Sequence, residues 1–67
     1  MIAMAHSPED KMRILARASR IRGQAEALER ALASDSPHAD VLQLVASLRG
    51  ALNGLTAELV EHQLQAH

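Results

Sequence analysis

The sequence predicts an all-α fold, a hairpin of two long helices that pairs with a second copy as an antiparallel four-helix bundle. Three observations carry that expectation. Apolar residues recur in alternating steps of four and three, as Ile14, Ala18, Ile21, Ala25, Leu28 and Leu32 in one stretch and Val41, Val45, Leu48, Leu52, Leu55 and Leu59 in another. The only credible break between them is Ala33-Ser34-Asp35-Ser36. The chain is 48% hydrophobic yet has no Phe, Trp or Tyr. Its core must therefore be aliphatic and rich in alanine, which suits close helix packing better than a sheet sandwich.

In chain order, residues 1–7 are expected as a flexible tail, since Met1 to His6 show no pattern. Ser7-Pro8-Glu9-Asp10 reads as a helix start, with Ser7 as N-cap, Pro8 in the first turn and two acids near the positive end of the dipole. The first helix is placed at about 8–34 and the second at about 37–66, where Ser36-Pro37 repeats the Ser-Pro start. Gly50 and Gly54 fall inside the second helix, where each costs about 1 kcal/mol relative to Ala. Close backbone approach is the expected return, with Gly50 at the point where a two-fold axis crosses the helix.

Sixty-seven residues form one small domain, 1–67, that buries too little surface to be comfortably stable alone, so self-association is expected. The absence of cysteine excludes a disulfide framework, a thiolate metal cage and thiol-based sensing. No signal peptide or membrane span is visible, and a cytoplasmic protein with no membrane partner is the expectation. Nothing resembles a catalytic constellation, so neither an enzyme nor a small-molecule substrate is expected.

The net charge of −1 hides an asymmetry. Six of the seven basic residues, Lys11, Arg13, Arg17, Arg20, Arg22 and Arg30, lie on the first helix, and no acid occurs between Lys11 and Gln24. Arg13, Arg17 and Arg20 follow helical spacing and share a face, with Gln24 continuing it. Each Arg can hold a phosphate with its planar fork, so a DNA-binding stripe is the functional reading and a merely solvated face the bland one. No helix-turn-helix or zinc finger is evident.

The histidines extend the second-helix seam. One step back from Val41 is His38 and one step on from Leu59 is His62, an imidazole at each end and roughly 36 Å apart along one helix. They cannot share a ligand within one chain. An antiparallel dimer would bring His38 of one chain to His62 and Gln63 of the other, with His6 and His67 at the same corner. Taken singly, each His has an ordinary explanation as an exposed or dipole-capping residue. Together they form an imidazole-rich, thiolate-free set suited to Ni(II), Co(II), Zn(II) or Cu(II) rather than Cu(I).

The run Lys11 to Gln24, Ala27-Leu28-Glu29-Arg30, Val41-Leu42-Gln43 and Arg49-Gly50-Ala51-Leu52-Asn53-Gly54-Leu55 together resemble the CsoR/RcnR/FrmR family of bacterial metal- and formaldehyde-responsive transcriptional repressors. The resemblance spans His6 to His67 and comes nearest to the nickel/cobalt-responsive branch. It implies a dimer that assembles further into a tetramer, binds operator DNA through basic residues of the first helix and releases it on effector binding. The DNA-binding candidates are then Lys11, Arg13, Arg17, Arg20, Arg22 and Gln24, with Arg49 at the head of the Arg49-to-Leu55 stretch. The family's ligand positions fall on His6, His38, Gln63 and His67. His38 stands where the family usually has Cys, which speaks against copper(I) or formaldehyde sensing; Gln63 stands where it has His, with His62 one residue earlier. The usual short third helix is not expected within this chain.

The expected function is therefore a metal-responsive repressor whose effector, Ni or Co ahead of Zn or Cu, binds a His-rich site between protomers. The alternatives are a repressor of the same fold with no metal response or another effector, and a plain helical oligomerisation module.

Overall fold

The computed structural model describes residues 7–65, so His6 and His67, both candidate ligands, lie outside the described residues. Helix α1 spans Pro8–Ala33 and helix α2 spans His38–Gln65. They fold back on each other as a hairpin, as expected from the two apolar repeats.

The first helix begins as its sequence indicates. The Ser7 hydroxyl accepts the Asp10 backbone N–H at 3.0 Å, and Pro8 occupies the turn in which an N–H has no helical partner. Its end is a Schellman motif: the Ser36 N–H reaches the Ala31 carbonyl at 3.0 Å, and Asp35 sits in the left-handed region at φ 57°. The second Ser-Pro does not repeat the first. The Ser36 hydroxyl pairs with that of Ser34 at 3.2 Å, and the Pro37 carbonyl takes the first N–H groups of α2, from Asp40 and Val41. The tight turn uses Ser36 to close α1, which takes its side chain away from capping α2.

The facing stripes are rotated from the expected seams. On α1 the half-buried or buried positions are Asp10, Ile14, Arg17, Ile21, Gln24, Ala27, Leu28 and Ala31, while Ala18, Ala25 and Leu32 of the expected seam are exposed. On α2 the side towards α1 carries Leu44, Ala51, Gly54, Glu58 and His62; the expected seam residues lie beside it, half-buried except for exposed Leu52. The cause is that Arg17, Gln24 and Glu58, polar by composition, occupy inward positions through their aliphatic stems, with Arg17 and Glu58 paired to each other.

The hairpin encloses almost no core. Among the described residues Ala31 is the only buried hydrophobic and Glu58 the only buried charge, and Met12, Leu15, Leu42, Val60 and Leu64 are all more than half exposed. Leu42, Val60 and Leu64 fall within roughly 40° of one another on α2, and Val60 and Leu64 also line an open groove that Arg13 and Arg17 of α1 border. No helix among the described residues is long and apolar enough to cross a membrane.

Candidate nucleic-acid interface and effector site

The Glu58 carboxylate organises the open end of the hairpin. Arg13 Nε donates to Oε2 and Arg17 Nε to Oε1, both at 2.7 Å, so each oxygen receives a different arginine of α1. Arg13 also donates from Nη2 to Asp10 Oδ1 at 2.7 Å. Glu58 itself is only 9% exposed. Its proton affinity is lowered, first by the hydrogen bond from Arg13, against the opposing effect of burial, and then by Arg17. Asp10 is lowered chiefly by Arg13, and the Arg13 guanidinium is held charged chiefly by Glu58.

Gly54, one turn before Glu58, makes this arrangement possible. A Cβ on Gly54 would lie 2.8 Å from Arg17 Nη1, so the missing side chain is the space in which the guanidinium rests. Gly50 differs, since a Cβ there would meet nothing within 4 Å among the described residues. The expected close approach at Gly50 is therefore not made within the hairpin.

The basic candidates point in three directions. Arg13, Arg17 and Arg20 run along the flank of the α1–α2 contact, with Arg13 and Arg17 tied to Glu58 and Arg20 exposed. Lys11 and Arg22 are exposed on the opposite side of α1, and Arg49 is exposed on the side of α2 turned away from α1. Gln24 is half-buried, with its Oε1 enclosed and without a hydrogen-bond partner among the described residues, so it faces the hairpin interior. The ion pairs of the described residues leave Lys11, Arg20, Arg22, Arg30 and Arg49 uncompensated.

The imidazoles are also separated. His38 is exposed at the start of α2, whereas the His62 side chain is 10% exposed, with Nε2 3.8 Å from Glu58 Oε2. The step from His38 to His62 leaves them roughly 120° apart around the helix, while that from His38 to Gln63 leaves roughly 20°. The seam reasoning that aimed His62 to the same side as His38 therefore does not hold within the hairpin: His62 turns to α1, and exposed Gln63 shares the face of His38. Among the described residues no three His, Cys, Asp or Glu side chains gather as a metal ion would require.

Glu58 and Asp10 were absent from the sequence-derived candidates. The available signals were spacings: Glu58 stands one turn after Gly54, next to the apolar repeat and not on it, and Asp10 stands three residues before Arg13.

Comparison with known proteins agrees with the fold. The profile of a family described as metal-sensitive transcriptional repressor matches residues 10–67. An uncharacterized protein in the bioA 5′ region of Serratia marcescens is 50% identical over 64 residues, covering 96% of this chain and 70% of that protein. A transcriptional repressor RcnR homolog of Escherichia coli is 47% identical over 66 residues, covering 96% and 71%. Among solved structures, a variant of the formaldehyde-responsive regulator FrmR from Salmonella enterica serovar Typhimurium superposes with a TM-score of 0.88 at 60% identity, covering 94% of this chain and 71% of that one.

Proposed function

Because the chain belongs to the family of metal-sensitive transcriptional repressors, which are not enzymes, we propose that it represses transcription as an oligomer in the cytoplasm, holding operator DNA with α1 and releasing it when a transition metal binds between protomers. The observation that carries the DNA half is the concentration of basic residues on α1, of which Lys11, Arg20 and Arg22 are exposed and uncompensated among the described residues. Arg13, Arg17 and Arg49 complete the basic candidates, with Gln24 half-buried beside the stripe.

A hairpin that leaves Leu42, Val60 and Leu64 on one outer face needs a second copy to cover them, and burying each fully would contribute about 1.5–3 kcal/mol. An antiparallel pair supplies that cover and brings the start of one α2 to the end of the other. His38 from one protomer then meets Gln63, His67 and His6 of its mate, with His62 as the alternative to Gln63. This donor set, imidazole nitrogen with no thiolate, fits Ni(II) or Co(II), and also Zn(II) or Cu(II). A bound ion would supply positive charge and a fixed link between two chains. The residues' own part is to change the spacing of the α1 stripes, for which a coupling of about 1–3 kcal/mol suffices.

Operator binding followed against salt, then against added Ni(II), Co(II), Zn(II) and Cu(I), tests both halves. Binding with a steep salt slope and release by Ni(II) or Co(II), weakened in His38→Ala, is the expected result. A slope near zero would leave an oligomerisation module; binding without release by any of these ions would leave a repressor with another effector.

A further inference from the structure

We propose that Glu58 is a specificity-determining residue of the DNA interface: by holding Arg13 and Arg17 by their Nε atoms it turns two mobile cations into fixed forks that accept phosphate only at a set spacing. The proposal rests on the DNA-binding reading above and goes beyond it by naming the residue that sets discrimination.

A free arginine on a helix surface follows a phosphate wherever the backbone offers one, and so favours every duplex alike. Here that freedom is removed on three sides. Nε of each side chain is committed to Glu58 at 2.7 Å, Arg13 is held again by Asp10, and the Arg17 guanidinium lies in the space left by Gly54. Both Nη groups of Arg17 and Nη1 of Arg13 make no hydrogen bond among the described residues, and the two side chains remain partly exposed, at 53% for Arg13 and 37% for Arg17. Phosphate can reach these nitrogens only where the fixed guanidiniums already stand, so a duplex whose backbone shape matches is preferred. The same carboxylate lowers the affinity for any duplex, because it places negative charge beside the incoming phosphate. Glu58 thus exchanges general affinity for discrimination.

The test compares the full-length wild type with Glu58→Gln and Glu58→Asp on two probes: a short duplex enriched from a random-sequence pool by the wild type, and a scrambled duplex of the same composition. Glu58→Gln removes the charge, and Glu58→Asp keeps it but is too short to meet both arginines. In Glu58→Gln the scrambled duplex should bind more tightly with a steeper salt dependence, and the preference for the enriched duplex should fall by roughly tenfold. In Glu58→Asp the preference should fall with no steepening of the salt dependence. Wild-type preference in both variants would overturn the proposal. So would loss of helix content in both at the assay temperature, which would make Glu58 a residue of folding alone. If the wild type enriches no duplex and shows no salt dependence, it is the DNA-binding reading that fails, an outcome distinct from the failure of the role of Glu58.

Discussion

Arg17 lies against Gly54 across the hairpin, its Nη1 2.8 Å from the point a Cβ would occupy, while its Nε reaches Glu58 one turn further along α2. Gly54→Ala should therefore displace the guanidinium. The atom met is the far end of a flexible side chain, so the shift is cheap, and the gain in helix propensity of about 1 kcal/mol should leave thermal stability unchanged or raised. What should disappear is the coupling between residues 17 and 58 in a double-mutant cycle. Coupling that survives in Gly54→Ala would show that the glycine serves something else.

Gly50→Ala separates the single chain from the assembly. Within the hairpin a Cβ at Gly50 meets nothing within 4 Å, so the substitution should raise helix stability by about 1 kcal/mol if no other chain approaches there. Under the proposed antiparallel pairing it should instead weaken self-association, read by sedimentation across a concentration series. Tighter association would place the crossing point elsewhere.

Acid should destabilise the hairpin at its open end. Glu58 and Asp10 have folded-state proton affinities lowered below the ordinary carboxylate values, chiefly by hydrogen bonds from Arg13. A depressed pKa contributes stability above the unfolded value and loses it as pH falls through the folded value. Thermal midpoints should be flat near neutrality and fall from about pH 4 downward, and Glu58→Gln should show a smaller fall over that window. An equal fall in the variant would assign the acid sensitivity to other groups.

Asp35 holds the left-handed position that ends α1, at φ 57°, which puts an acidic residue at the negative end of the helix dipole. Asp35→Gly should stabilise the chain by about 0.5–1 kcal/mol, a rise of roughly 2–8 °C for a domain of this size. A lower midpoint on melting would mean that the side chain makes a contact worth more than the relieved strain.

Gln63 is exposed and shares the helix face of His38, whereas His62 turns towards Glu58. Gln63→His should accordingly raise Ni(II) or Zn(II) affinity by at least about tenfold through an added imidazole donor. Competition with a chelator of known affinity reads this directly. No gain, together with a large loss in His62→Ala, would transfer the ligand role to His62.

The two helices, their break and the Ser7 cap could be read from the chain because each depends on neighbours within a turn or two: apolar spacing, a proline in the first turn, a hydroxyl three residues before an N–H. The cationic stripe was equally legible, but its neutralisation was not. No acid occurs between Lys11 and Gln24, so Arg17 reads as uncompensated and Arg13 has only Asp10 within a turn; the carboxylate that holds both is Glu58, 41 residues beyond Arg17. Likewise the repeat named the apolar flank of α2 but not which side would meet α1, because a drift of about 20° per heptad, summed over the length of the helix, decides between His62 and Gln63. Local hydrogen bonding and periodicity are written in the sequence itself. Which charges meet, and which face is left for another chain, is decided only when the helices settle their rotation about one another, where a buried carboxylate had to find two cations.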